Sequence, residues 1–290
     1  MGRAGTAHRM TGGAALKWTG RIIAVAAVAA AVVALLSELD SGSVVVWPSG
    51  WQLASAGVLV GTGLWLSSSV WVHLLGDDLR SRAHRADFFV AQIGKYIPGG
   101  IWQPLGQIGI SAQRGMGKRQ LTIAMVTHAV IQVSAGLLLS MWLVANDDLD
   151  PWVRWAAVAA GLSSLALPAV YRAAERRSVI PRVLSDLRMP DKPVKQLVLL
   201  GVNLILLGGA FAVAASVALD QAPWTVLAFA AAWTVGFLVV PVPAGLGVRE
   251  AVLVALVPVP AGTVVAASAI LRVVTIIVEF ALILGSRLRA

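Results

Sequence analysis

Two short proline- and glycine-rich stretches interrupt a chain that otherwise consists largely of apolar runs long enough to cross a bilayer. The first is Gly94-Lys95-Tyr96-Ile97-Pro98-Gly99-Gly100-Ile101-Trp102-Gln103, and the second is Pro241-Val242-Pro243-Ala244-Gly245-Leu246-Gly247-Val248-Arg249-Glu250. Each holds a Pro-small-Gly-aliphatic tetrad, and Pro98 and Pro243 lie 243 − 98 = 145 residues apart in a 290-residue chain. Apolar segments broken at matching places in two halves point to a transport site at mid-membrane and to two pseudo-repeated halves.

Hydrophobic residues make up 58% of the chain and charged residues 13%, with a mean hydropathy of +0.81. A soluble domain carries about 25% charged residues, so this composition places the chain in lipid. The absence of cysteine excludes a disulfide framework, a thiol nucleophile and thiolate-bound metal. The net charge of +9 does not imply nucleic-acid binding, because the basic residues sit in short loops between apolar runs. The longest polar stretch, Arg172 to Lys195, is too short for a separate catalytic domain, so residues 1–290 read as one integral membrane domain. The first apolar run, Ile22 to Leu36, follows Arg3, Arg9, Lys17 and Arg21 without a clear small-x-small cleavage site; we expect a retained signal-anchor helix over Trp18–Ser37.

Further spans are expected over about Leu53–Leu75, Leu121–Ala145, Trp155–Tyr171, Leu197–Leu219, Trp224–Val240 and Thr263–Gly285, each near the ~20 residues a bilayer needs. The expected fold is therefore all-α and polytopic, with seven or eight transmembrane helices plus re-entrant or broken helices. Trp47, Trp51, Trp152, Trp155 and Trp224 fall at span ends, where interfacial tryptophans belong. Loops carrying Glu38, Asp40, Asp147, Asp148, Asp150 and Asp220 hold one basic residue, Arg154. The opposite side collects Arg80, Arg82, Arg85, Arg114, Lys118, Arg119, the Arg172–Lys195 stretch, Arg287 and Arg289. That asymmetry predicts a multi-pass protein of the cytoplasmic membrane with its amino terminus inside. Both loops around the first break are basic, so the segment between them is expected to return to its own side as a re-entrant hairpin; a surface amphipathic helix is the alternative. For the second break, either Leu246–Val257 crosses as a short helix or the carboxyl terminus lies outside.

A proline–glycine break starts a new helix whose unpaired N–H groups and dipole favour an anion. The candidate binding residues of the first break are Lys95, Tyr96, Pro98, Gly99, Gly100, Trp102 and Gln103; those of the second are Pro243, Gly245, Gly247, Arg249 and Glu250. The alternative is that the glycines serve helix packing while Lys95 and Arg249 snorkel. Arg272 and Glu279 stand seven residues apart in the last apolar run, hence on one helix face, and a charge costs about 2.5–3.5 kcal/mol at a helix centre. Both are expected to face the protein, with Glu250 pairing with Arg272 or Glu279 with Arg249, as a transport site or a structural ion pair. His128 and Gln132 share a face of the third span and Asn203 lies in the fifth; interhelical hydrogen bonding is favoured over a proton relay. Gly57 and Gly61 form a GxxxG that reads as helix packing. Asn146-Asp147-Asp148-Leu149-Asp150 and Gly76-Asp77-Asp78 read as solvated turns, and no metal-ligand spacing or nucleotide-binding loop occurs. We expect no catalytic residue, no cofactor and no metal.

Gly94-Lys95-Tyr96-Ile97-Pro98-Gly99-Gly100-Ile101-Trp102 resembles the GKY-P-G-x-W stretch of the lysylphosphatidylglycerol synthase transmembrane region. Pro243-Ala244-Gly245-Leu246-Gly247-Val248-Arg249-Glu250 resembles that family's P-x-G-hydrophobic-G-V-R-E motif, and Leu271-Arg272-Val273-Val274-Thr275 is similar to its later arginine-containing element. The resemblance covers about Val25 to Leu284. It implies a flippase-like membrane protein that moves phospholipid or polyprenyl-linked lipid between leaflets. The soluble synthase domain of the full-length enzymes has no counterpart before Ala290, so synthase activity is not carried over. Family members often carry a basic residue after the first motif; here Gln103 and Gln107 precede Arg114.

The expected function is thus transfer of a lipid across the bilayer, with its phosphate held between the two breaks by Lys95, Arg249 and Arg272. Glu250 and Glu279 would hold those cations in place or contact a cationic headgroup. The expected partners are the membrane lipid and a membrane glycosyltransferase or lipid-modifying enzyme, with no nucleic acid. The rival readings are an intramembrane transferase acting on a lipid-phosphate sugar and a non-transporting subunit of a glycosyltransferase system.

Overall fold

A computed structural model describes residues 47–76, 81–96, 102–147, 149–176, 192–238 and 247–288. The expected first span lies outside them, as do Pro98, Gly99, Gly100, Pro243 and Gly245. The described residues form α-helices and no strand: α1 (Gly50–Leu75), α2 (Ser81–Gln92), α3 (Trp102–Ala112), α4 (Lys118–Ser140), α5 (Pro151–Arg176), α6 (Pro193–Ala214), α7 (Ala222–Leu238), α8 (Val248–Leu256) and α9 (Ala261–Leu288). Helical turns of 3-10 type, Ile93–Tyr96 and Met141–Ala145, extend α2 and α4.

Local sequence sets the ends. The Ser49 N–H donates to Gln52 Oε1 at 2.7 Å at the start of α1, while Gly76 closes it in the left-handed conformation (φ 67°) with its N–H on the His73 carbonyl. Pro193 opens α6, where its fixed φ helps and its missing N–H costs nothing.

Among the described residues, four helical segments are long and apolar enough to cross a membrane: Gly50–Leu75, Lys118–Ala145, Pro193–Ala214 and Ala261–Arg287. Helix α7 is apolar but shorter, and α5, although 26 residues long, is not among the four. The outer surface of α9 shows what solvent these helices are built for. Val273, Ile277, Phe280 and Leu284, spaced four, three and four residues apart, are exposed, whereas Glu279, next to Phe280, is 2% exposed. A helix in water buries its apolar stripe and wets its charges. The inverted pattern belongs to a helix whose surroundings are hydrocarbon. Trp47, Trp51, Trp152 and Trp155 are all exposed around the helix ends, where amphipathic rings anchor to the interface.

The interior is packed through aromatic residues and close backbone approaches. Trp71, Phe88, Phe89, Phe211, Phe229 and Leu253 belong to one buried cluster. Helix α6 approaches α7 so closely that a Cβ on Gly208 would lie 2.6 Å from the Val226 carbonyl oxygen. Gly57 and Gly61 do face a partner helix, with Val274 and Val278 of α9 at ordinary contact distance. Some polar residues inside bind one another: His128 Nε2 lies 3.3 Å from the Ser67 hydroxyl, and Asn203 Nδ2 donates to Gln132 Oε1 at 3.5 Å. Arg154, the one base in the acidic loops, is neutralised by Asp147 at 2.8 Å.

Helices α2 and α3 pack side by side on the face formed by α1, α4 and α9. At 12 and 11 residues they reach about 18 and about 16 Å, short of the ~30 Å hydrocarbon core. A Cβ on Gly94 would lie 2.6 Å from the backbone nitrogen of Gln103, so only glycine permits this approach between the end of α2 and the start of α3. Gln103 Nε2 donates to Gln92 Oε1 at 3.2 Å across the same junction.

Candidate functional site

Helix α9 gathers the residues that flank both breaks. Arg272 and Glu279, seven residues apart, are separated by about 10 Å along the helix. Lys95 at the end of the first break's leading helix makes an ion pair with Glu279 Oε1, and the Tyr96 hydroxyl donates to Glu279 Oε2 at 3.1 Å. Arg272 Nη2 donates to Glu250 Oε1 at 2.7 Å, tying α9 to the helix that follows the second break. Of the pairings open in the sequence, Glu250 does take Arg272, whereas Glu279 takes Lys95 rather than Arg249.

The start of α8 is partly closed by its own side chain. Gly247 adopts φ 79°, a conformation that favours glycine, and donates its N–H to Glu250 Oε2 at 2.7 Å. Glu250 therefore bridges a backbone donor and a guanidinium, and it sits at the N-terminal end of α8, where the dipole favours a carboxylate. Several unpaired N–H groups are expected at this helix start. One of its donors is instead internally satisfied.

Arg249 is left over. Its guanidinium lies 5.6 Å from the Phe229 ring centroid, its Nε is buried, and it makes no hydrogen bond among the described residues. Tyr96 lies within electrostatic reach of both Arg249 and Arg272, so the ion pairs and the free guanidinium form one cluster. Formally it holds three cations, Lys95, Arg249 and Arg272, against two carboxylates, Glu250 and Glu279. The excess of one positive charge resides on the group that has no acceptor among the described residues. An unpaired guanidinium in a poorly hydrated place is costly, and a bidentate oxyanion satisfies its fork of donors.

Gln103 and Trp102 lie at the start of α3. Gln103 is engaged by Gln92, and Trp102 is over one-third exposed. Gln103 makes no hydrogen bond to Glu250 or Glu279 among the described residues. Sequence reasoning missed one ion pair with a buried carboxylate: Arg114 Nε and Nη2 donate to Asp87 Oδ2 and Oδ1 at 2.7 and 2.9 Å, with Asp87 4% exposed and Arg114 39% exposed. Asp87 directly precedes Phe88 and Phe89, and an acid at the mouth of an apolar run was the available signal. Among the described residues no three His, Cys, Asp or Glu side chains cluster to hold a metal ion. No family model, curated protein or solved structure matches this chain.

Proposed function

We propose that the protein is a flippase-like lipid transporter, akin to the lysylphosphatidylglycerol synthase transmembrane region, that binds the phosphate of an anionic phospholipid or polyprenyl-phosphate-linked lipid at Arg249 and moves it between leaflets. The observation that carries this reading is the half-buried guanidinium of Arg249, whose buried Nε has no acceptor among the described residues, inside a cluster with one uncompensated positive charge. Lys95 and Arg272 act beside it, each positioned by a carboxylate, and exchange of those carboxylates for the incoming phosphate releases the helices they tie to α9. In this reading α2 and α3 form a re-entrant hairpin, the two breaks are counterparts in pseudo-repeated halves, and seven or eight helices cross the cytoplasmic membrane. The short lengths and mutual packing of α2 and α3 favour the hairpin. With no nucleotide-binding motif, movement is downhill or ion-coupled.

The test is lipid movement in reconstituted vesicles, read by dithionite bleaching of a fluorescent anionic phospholipid and, separately, of a fluorescent polyprenyl phosphate. Arg249→Gln is expected to slow movement of the transported probe by about tenfold or more, the value of one charge-assisted contact, with helical content unchanged. Wild-type rates in a folded Arg249→Gln protein would remove the basis of the proposal.

A further inference from the structure

Among the described residues, a second cation stands without a counter-charge. Arg85, in the second turn of α2, places its guanidinium 3.9 Å from the ring centroid of Trp65 on α1. Through Nη1 it donates to Ser69 Oγ at 2.9 Å, Ser68 Oγ at 3.2 Å and the Trp65 carbonyl at 3.4 Å. All of these acceptors are neutral. The N–H groups on Nε and Nη2 have no acceptor, and no carboxylate lies within ion-pair distance, among the described residues. Trp65 is 48% exposed, so the site opens outward from the helix bundle, and Phe89 packs against that ring at 6.3 Å. Exposed Arg82 lies three residues before Arg85, on the same face of α2.

The depth of this group identifies what it faces. Ser69 is six residues from the end of α1, about 9 Å along the helix axis. Helix α1, at 26 residues, is about 39 Å long and overhangs a ~30 Å hydrocarbon core at both ends. With α1 centred on that core, Ser69 lies about 4–5 Å inside the hydrocarbon boundary, a depth at which a charged guanidinium draws polar headgroups inward through local thinning of the bilayer. A planar guanidinium held 3.9 Å from an indole centroid, with Nη1 spent on serines and its Nε–Nη2 edge without an acceptor among the described residues, matches the oxygens of a phosphodiester.

We infer that Arg85, Trp65, Ser68 and Ser69 form a lateral docking site for the phosphate of an anionic phospholipid in the leaflet at the C-terminal end of α1. This site is separate from the α9 cluster and does not rest on the transport reading: Arg85 and Lys95 lie ten residues apart, about 15 Å along the axis of α2 and its extension.

Native mass spectrometry of the full chain in detergent tests the assignment, with phosphatidylglycerol, phosphatidylcholine and inorganic phosphate as probes. Wild-type protein is expected to retain a phosphatidylglycerol that Arg85→Gln binds about tenfold more weakly, and millimolar inorganic phosphate is expected to leave it in place. Phosphatidylcholine should bind more weakly, because its choline meets the positive charge of Arg82. Arg249→Gln should keep this lipid, which separates the site from the transport proposal. Equal retention by wild type and Arg85→Gln overturns the inference, and displacement by inorganic phosphate overturns the assignment to lipid. Should Arg85→Gln fail to fold, Arg85→Lys replaces it: about threefold weaker binding is expected from loss of the planar fork, and unchanged binding overturns the site.

Discussion

Replacing Glu279 by leucine isolates the energetics of the central ion pair. The carboxylate is 2% exposed and accepts from both Lys95 and Tyr96. Removing one partner of a buried pair costs about 3–5 kcal/mol, but the Lys95 side chain is 23% exposed and can turn toward water. We therefore expect about 3 kcal/mol for Glu279→Leu, at the lower end of that range. Lys95→Met leaves a buried carboxylate that still holds the Tyr96 hydroxyl, so about 2 kcal/mol is expected, between the cost of a lost charged hydrogen bond and that of a stranded ion. The double variant Lys95→Met/Glu279→Leu removes both charges and should cost no more than about 2 kcal/mol, because apolar replacement of a buried pair is often neutral. The interaction energy of the cycle is then about 3 kcal/mol, at the top of the range for residues in contact. Unfolding in mixed micelles titrated with dodecyl sulfate, followed by circular dichroism, measures each term. Strict additivity of the single variants, or losses below about 0.5 kcal/mol in each, would refute the pairing.

Three further outcomes follow from the packing. Gly94→Ala places a methyl against the backbone of Gln103 at 2.6 Å and should destabilise the α2–α3 junction by about 1–3 kcal/mol, seen as raised amide exchange in Ile93–Tyr96. Gly208→Ala meets the Val226 backbone at 2.6–2.9 Å and should cost a similar ~1–3 kcal/mol in the same micelle assay, whereas Gly57→Ala, with neighbours at 3.7–3.9 Å, should stay within about 0.5 kcal/mol. Asp87→Asn removes the carboxylate from a bidentate pair and should cost about 1.5–3 kcal/mol; the loss should shrink in Asp87→Asn/Arg114→Gln, which no longer leaves a cation unmatched.

Much of this architecture is legible in the order of residues because lipid enforces simple rules. Apolar length alone locates α1, α4, α6 and α9, since each must satisfy its backbone internally over the bilayer thickness. The inward-facing side of α9 follows from Arg272 and Glu279, which hydrocarbon would not accept. Helical spacing likewise relates His128 to Gln132, and both make interhelical hydrogen bonds. Partner choice is less legible. Glu279 takes Lys95 rather than Arg249 because the α2–α3 junction brings residue 95 against α9, and that juxtaposition depends on Gly94 and Gln103 meeting closely. Capture of the Gly247 amide by Glu250 is local, three residues apart, and a glycine followed by a glutamate at the third helical position was a readable signal. Asp87 and Arg114, 27 residues apart in sequence, meet only once α2 and α3 fold onto each other.

The pairing of α9 with both interruptions has a mechanical corollary. One rigid rod grips the segment before the first kink through Glu279 and the segment after the second through Arg272, two turns apart on a single edge. A twist of that rod by one residue, about 100°, would withdraw both handholds together, and a twist back would restore them together. A rotation of this one helix thus bears on both tethers at once, whereas a turn of either side chain alone would loosen only its own.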